Sequence, residues 1–124
     1  MAHARVLAQS FFDHHPGGEF TVLLIDDEER RFDGRNDAFR CLRLSDIQLD
    51  AAEIRRLAAV YDVTELATAV KPPLLKHLLH EGRTDLIYLD PDIKLYGSLE
   101  PVSELARTHS IVLTPHTLQP VPRE

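Results

Sequence analysis

The sequence predicts an α/β domain, three layers deep (α/β/α), built around a mostly parallel sheet. Two observations predict it. Short apolar runs recur along the chain at Phe20 to Ile25, Leu86 to Leu89 and Ile111 to Leu113. Segments with apolar residues three and four positions apart lie between them. Continuous apolar runs of this length suit strands buried on both faces, and helices alternating with such strands cover a parallel sheet from either side.

Taken in order, Ala4, Leu7, Ala8 and Phe11 make one helical stripe, which Pro16-Gly17-Gly18 ends. Phe20 to Ile25 is the first strand, closed by Asp26-Asp27, and a charged, turn-rich stretch follows through Asn36. A second strand is expected at Phe39 to Leu44, interrupted by Arg40 and Arg43. Asp50 with Glu53 forms a capping pair for a helix carrying Ile54, Leu57, Ala58 and Tyr61 on one face. Thr64 is placed as the cap of another helix running to Val70. Pro72 and Pro73 then break and restart the helix, because proline is tolerated only in a first turn. Leu74, Leu75, Leu78 and Leu79 carry the renewed stripe and Gly82 stops it. Leu86 to Leu89 reads as a buried strand running into Asp90-Pro91-Asp92. A short helix from Pro101 through Ala106 and a last strand at Ile111 to Leu113 complete the pattern, and the tail from Thr114 to Glu124 holds three prolines.

At 124 residues the chain has room for one domain. Hydrophobic residues are 44% and charged residues 27%, which excludes a disordered tail, a collagen or a coiled coil. No apolar run approaches the roughly 20 residues of a membrane span, and no charged-then-apolar leader opens the sequence, so a cytoplasmic location is expected. The formal charge of -6 lacks the basic surplus of a nucleic-acid binder. It leaves room for an anionic small molecule held through a metal ion. The one cysteine, Cys41, forms no internal disulfide and reads as a small buried apolar residue beside Leu42 and Leu44.

Parallel sheets bind ligands beyond the carboxyl ends of their strands, which directs attention to Asp26-Asp27, Asp90-Pro91-Asp92 and Thr114-Pro115-His116. On extended chain Asp90 and Asp92 project to the same side, and Pro91 restrains both its own φ and the residue before it. Two hard oxygen ligands suit a Mg²⁺ or Mn²⁺ ion bridging a diphosphate, with phosphate and water filling its other positions. The plainer alternative is a solvated acidic turn. Lys71, before Pro72 at a helix start, could neutralise a phosphate or stand as a solvated side chain. His14-His15 suits the dipole at a helix end. His77 and His80, three apart, are expected on a solvated face rather than on a metal, and His116 has only its place after a strand end.

Tyr88-Leu89-Asp90-Pro91-Asp92-Ile93 resembles the Asp-x-Asp signature of nucleotide-sugar-dependent glycosyltransferases with the GT-A fold, a Rossmann-like nucleotide-diphospho-sugar transferase core. Ala4 through Phe11 resembles their first helix and Phe20 through Asp27 the next strand. Tyr61 through Pro72 is similar to bacterial members in which a helix precedes the signature strand. The resemblance implies that Asp92 is the main ligand of a divalent cation, Mn²⁺ or Mg²⁺, on the donor diphosphate. It implies that Asp90 touches the ribose or sugar and assists the metal, that Lys71 faces the phosphates, and that Asp26 or Asp27 lies near the nucleotide. The partners are then a nucleotide-diphosphate sugar donor and an acceptor. It further implies a single partial donor-binding domain over residues 1–124, lacking the first strand and the acceptor half, whose unpaired sheet edge favours self-association.

Leu23 through Glu28 also looks like the opening of a response-regulator receiver domain, with Asp85 through Asp90 as its phosphoacceptor strand and Asp90 as the phosphorylation site. Three features oppose this. A helix precedes the acidic strand, Asp90 stands too far beyond Asp27 for one βαβ unit of roughly 30 residues, and no lysine follows Lys94. A phosphatase using Asp-x-Asp is opposed by Ile93-Lys94, where a small hydroxyl residue is needed.

Overall fold

A computed structural model of the chain describes residues 1–26, 37–115 and 119. It is mixed α/β, with helices around a two-stranded parallel sheet. The order is α1 (Ala2–His14), β1 (Thr21–Leu24), β2 (Arg40–Arg43), a 3₁₀ turn at Leu44–Asp46, α2 (Ala51–Val60), α3 (Val63–Ala69), α4 (Lys71–His80) and α5 (Glu100–Thr108).

Local chemistry sets these boundaries. The Asp50 carboxylate accepts the Glu53 N–H at 2.7 Å and caps α2. Asp62, rather than Thr64, caps α3: its carboxylate accepts the Glu65 N–H at 2.8 Å while the Glu65 side chain accepts the Asp62 N–H at 3.0 Å. Val70 is the joint between α3 and α4, where Pro72 and Pro73 occupy the first turn of α4 without removing a needed hydrogen bond. Gly82, at φ +89, ends α4 in a left-handed conformation that a side chain would strain.

β1 and β2 pair in parallel with Leu23 opposite Leu42 and Val22 opposite Cys41. The alternation of a strand sends these pairs to opposite faces. On one face Leu42, Leu44 and Ile47 meet Val70, Leu74 and Leu78, with Leu23, Ile25, Ile54, Leu57 and Leu66 packed around them. Each of the buried leucines contributes roughly 1.5–3 kcal/mol by leaving water. On the other face α1 buries Ala4, Leu7 and Ala8, and Phe11 and Phe12 meet Phe20, which in turn meets Phe39. Cys41 is half-buried with its thiol free, and burial pushes its pKa up. No described helix is long and apolar enough to cross a membrane.

Two expected strands are absent from the sheet among the described residues. Leu86 to Leu89 and Ile111 to Leu113 join no ladder. Ile87 and Tyr88 are 38% and 39% exposed, and Ile111 and Leu113 are 77% and 83% exposed. Both runs have strand-forming side chains, but a strand exists only where a second backbone accepts its hydrogen bonds.

The open end of β2 is tied to the end of α4 by a bidentate ion pair, with Arg40 Nη1 and Nη2 donating to the Glu81 carboxylate at 2.6 and 2.7 Å. Arg83 pairs with Glu19 alongside. The Arg40 hydrogen bonds hold the Glu81 carboxyl at about 2, against an ordinary value of 4.5. A carboxyl lowered on folding stabilises the fold above its unfolded pKa, and that contribution fades as pH falls toward the folded one. Denaturation midpoints of the wild type and Glu81→Gln should therefore differ at pH 7 and converge as pH falls from about 4.5 to about 2. A difference that is the same at every pH contradicts this assignment.

Candidate functional site

The residues that the sequence singles out sit on three elements. Lys71 opens α4, Asp90 and Asp92 follow the extended Leu86–Leu89 segment, and Asp26 follows β1. Asp27 and His116 lie outside the described residues.

Asp90-Pro91-Asp92-Ile93 is a turn rather than a continuation of extended chain. The Ile93 N–H donates to the Asp90 carbonyl at 3.2 Å across it. Aspartate at the first position and proline at the second are the residues such a turn prefers, because proline supplies the required φ and the carboxylate accepts from nearby amides. Both aspartates are exposed.

The structure brings Lys71 and Asp90 together across 19 positions of sequence. Lys71 Nζ donates to Asp90 Oδ1 at 2.9 Å and lies 4.5 Å from the centre of the Tyr88 ring. The Asp90 hydrogen bond, more than any other influence, raises the Lys71 pKa and keeps the ammonium charged throughout the neutral range. Burial raises the Tyr88 phenol. Tyr88 is the residue that sequence reasoning passed over. Its place two before Asp90 in an alternating segment is the signal that puts both on one side.

The histidines occupy different environments, and His77 is the one that departs from expectation. His15 is tied to the chain after the turn: its Nε2 accepts the Leu99 N–H at 2.9 Å, and its ring stacks on Phe11 at 5.1 Å. His77 is half-buried rather than solvated, with Nε2 standing 3.3 Å from Glu81 Oε1 but unaligned for a hydrogen bond. His80 is exposed. Among the described residues no group of three or more His, Cys, Asp or Glu converges on one point.

The turn is held to the body through the chain after it. Ser10, buried on α1, donates to the Leu7 carbonyl at 2.8 Å and accepts the Leu95 N–H at 3.1 Å. With His15 on Leu99, it fastens residues 95–99 along α1. Beside the turn lies a cleft of about 890 Å³ between α1, β1, α4 and residues 85–89, which Lys71, Tyr88 and Pro91 also line. Its walls include Leu7, Phe11, Leu23, Leu74 and Leu86. These are apolar, while Glu19, Arg83, Asp85 and Glu100 also line it.

No family model matches the sequence, and comparison with curated proteins and with solved structures returns no significant match.

Because Ser10 is the partner of the Leu95 amide among the described residues, Ser10→Ala should cost about 1–3 kcal/mol of stability. Amide exchange should rise at Leu95 and through the Asp90 turn before it rises in α2 or α4. Unchanged protection at Leu95 would show that Ser10 does not anchor this segment.

Proposed function

We propose that the chain is the donor-binding portion of a metal-dependent, nucleotide-sugar glycosyltransferase, in a partial GT-A-like core. The observation that carries the proposal is the Asp90-Pro91-Asp92 turn, exposed at the end of an extended apolar segment with the Lys71 ammonium against Asp90. The turn presents two hard carboxylate ligands and no soft ones, which suits Mg²⁺ or Mn²⁺ that also binds diphosphate oxygens and water. The chain thus offers a two-carboxylate site, completed by the donor.

In this reading Asp92 is the principal ligand and Asp90 the second. A divalent cation there would supply Lewis-acid stabilisation of the charge developing on the leaving diphosphate. Lys71 binds the same charge. Its ammonium, held by Asp90 and resting over Tyr88, can turn from the carboxylate to a phosphate oxygen without leaving the site. Its raised pKa means that it arrives charged. Asp26, exposed where β1 ends, is available to the nucleotide. A cytoplasmic setting accompanies the reading.

Titration calorimetry with Mn²⁺ and a panel of nucleotide sugars tests it. Binding of at least one donor should require the cation and weaken at least ten-fold in Asp92→Asn, about 1.4 kcal/mol. Binding that ignores both cation and mutation would sink the assignment.

The Lys71–Asp90 contact also favours a second reading, since a receiver domain needs a lysine beside its phosphoacceptor. There an Asp90 carboxylate oxygen would attack the phosphorus of acetyl phosphate, forming an acyl phosphate as acetate leaves. Mass spectrometry after incubation with acetyl phosphate separates the two: an adduct on Asp90 supports the receiver, and an unmodified chain supports the transferase.

A further inference from the structure

The cleft has the size and the bonding requirements of an absent β-strand. In the parallel ladder the Arg40 N–H donates to the Phe20 carbonyl at 2.9 Å, and Arg40 stands opposite Thr21. Alternate residues of a strand bond to alternate neighbours, so Phe20, Val22 and Leu24 serve β2. The N–H and C=O groups of Thr21, Leu23 and Ile25 therefore face away from β2, and all three of these residues line the cleft. Across it, Asp85 to Leu89 also line the cleft and form no backbone hydrogen bond with another described residue. Two open backbone edges thus flank one gap.

The gap is of strand size. A rise of about 3.3 Å, a strand spacing of about 4.8 Å and a layer thickness of about 10 Å give roughly 160 Å³ per residue. A cleft of about 890 Å³ then holds about five or six residues. That is the length of the flanking segments themselves.

The same chain exposes a segment of matching character. Thr108 to Thr114 carries no Lys, Arg, Asp or Glu. Its Ile111, Val112 and Leu113 are apolar, two of them β-branched, and they bond to no other described residue through their backbone. Such an uncharged, proline-free run is what an open sheet edge captures. α5 leads this segment away from its own cleft: Leu99, Glu100 and Ser103 line it, and no described residue after Ser103 does.

We propose that Ser110–Thr114 of one copy enters the cleft of a second copy as an added strand between β1 and residues 85–89. Reciprocal exchange closes a two-fold dimer with each gap filled. The argument uses the open backbone edges and not the Asp90 or Asp92 carboxylates, so the inference does not depend on the proposed function.

Light scattering coupled to size exclusion, over a wide concentration range, tests it with two variants. Ile111→Lys changes a side chain 77% exposed and should not disturb the folded monomer. Thr21→Pro removes an N–H that faces the cleft rather than β2, a position where an edge strand tolerates proline. The wild type should approach twice the 14.1 kDa monomer mass. Each variant alone should weaken association at least ten-fold. Mixing the two should restore part of it, since the Ile111→Lys chain keeps an intact cleft and the Thr21→Pro chain an intact donor strand. A wild type that stays monomeric at every concentration, association insensitive to both variants, or a mixture no better than its components would each overturn the proposal.

Discussion

The packing of one helix fixes most of what this chain can do. α4 buries Leu74 and Leu78 against Leu42, Leu44 and Ile47, and the same helix begins at Lys71. The core therefore sets where the ammonium stands. Pro72 and Pro73 keep the first turn from extending backward into α3, and the Arg40 pair holds the far end to β2. A cation placed by a buried stripe, two prolines and an ion pair has little freedom to drift.

The carboxylates opposite are placed differently. Asp90 and Asp92 follow a segment with no ladder among the described residues, held by the Lys71 contact and, further on, by Ser10 and His15. The site thus combines one side fixed by the core with another fixed by a few polar contacts. A ligand that replaces the Lys71–Asp90 hydrogen bond acts directly on the less anchored side. The open edge of β1 and the unladdered segment express the same shortage: the sheet has fewer strands than its apolar residues can cover.

Elements set by neighbours in sequence were legible. Asp50 capping α2, the double proline opening α4 and Gly82 closing it are local rules, and each holds. The cap of α3 fell two residues early because Asp62 and Glu65 form a reciprocal box that Thr64 could not. Leu86 to Leu89 and Ile111 to Leu113 have the composition of strands, yet composition says nothing of whether a partner backbone is present. The Asp90 and Asp92 pair was legible as a motif, though as extended chain instead of the turn that Pro91 makes. Contacts spanning long intervals, Lys71 to Asp90 and Ser10 to Leu95, were not, since nothing local specifies them.

In the proposed function the Asp90-Pro91-Asp92 turn and Lys71 form one cation-dependent diphosphate site. Paramagnetic broadening in ¹H–¹⁵N spectra, with substoichiometric Mn²⁺ and a nucleoside diphosphate, addresses it most directly. The amides from Asp90 to Ile93 should broaden first and Lys71 should follow, while α2 and α3 remain sharp. Broadening centred elsewhere, or none at the turn, would contradict it.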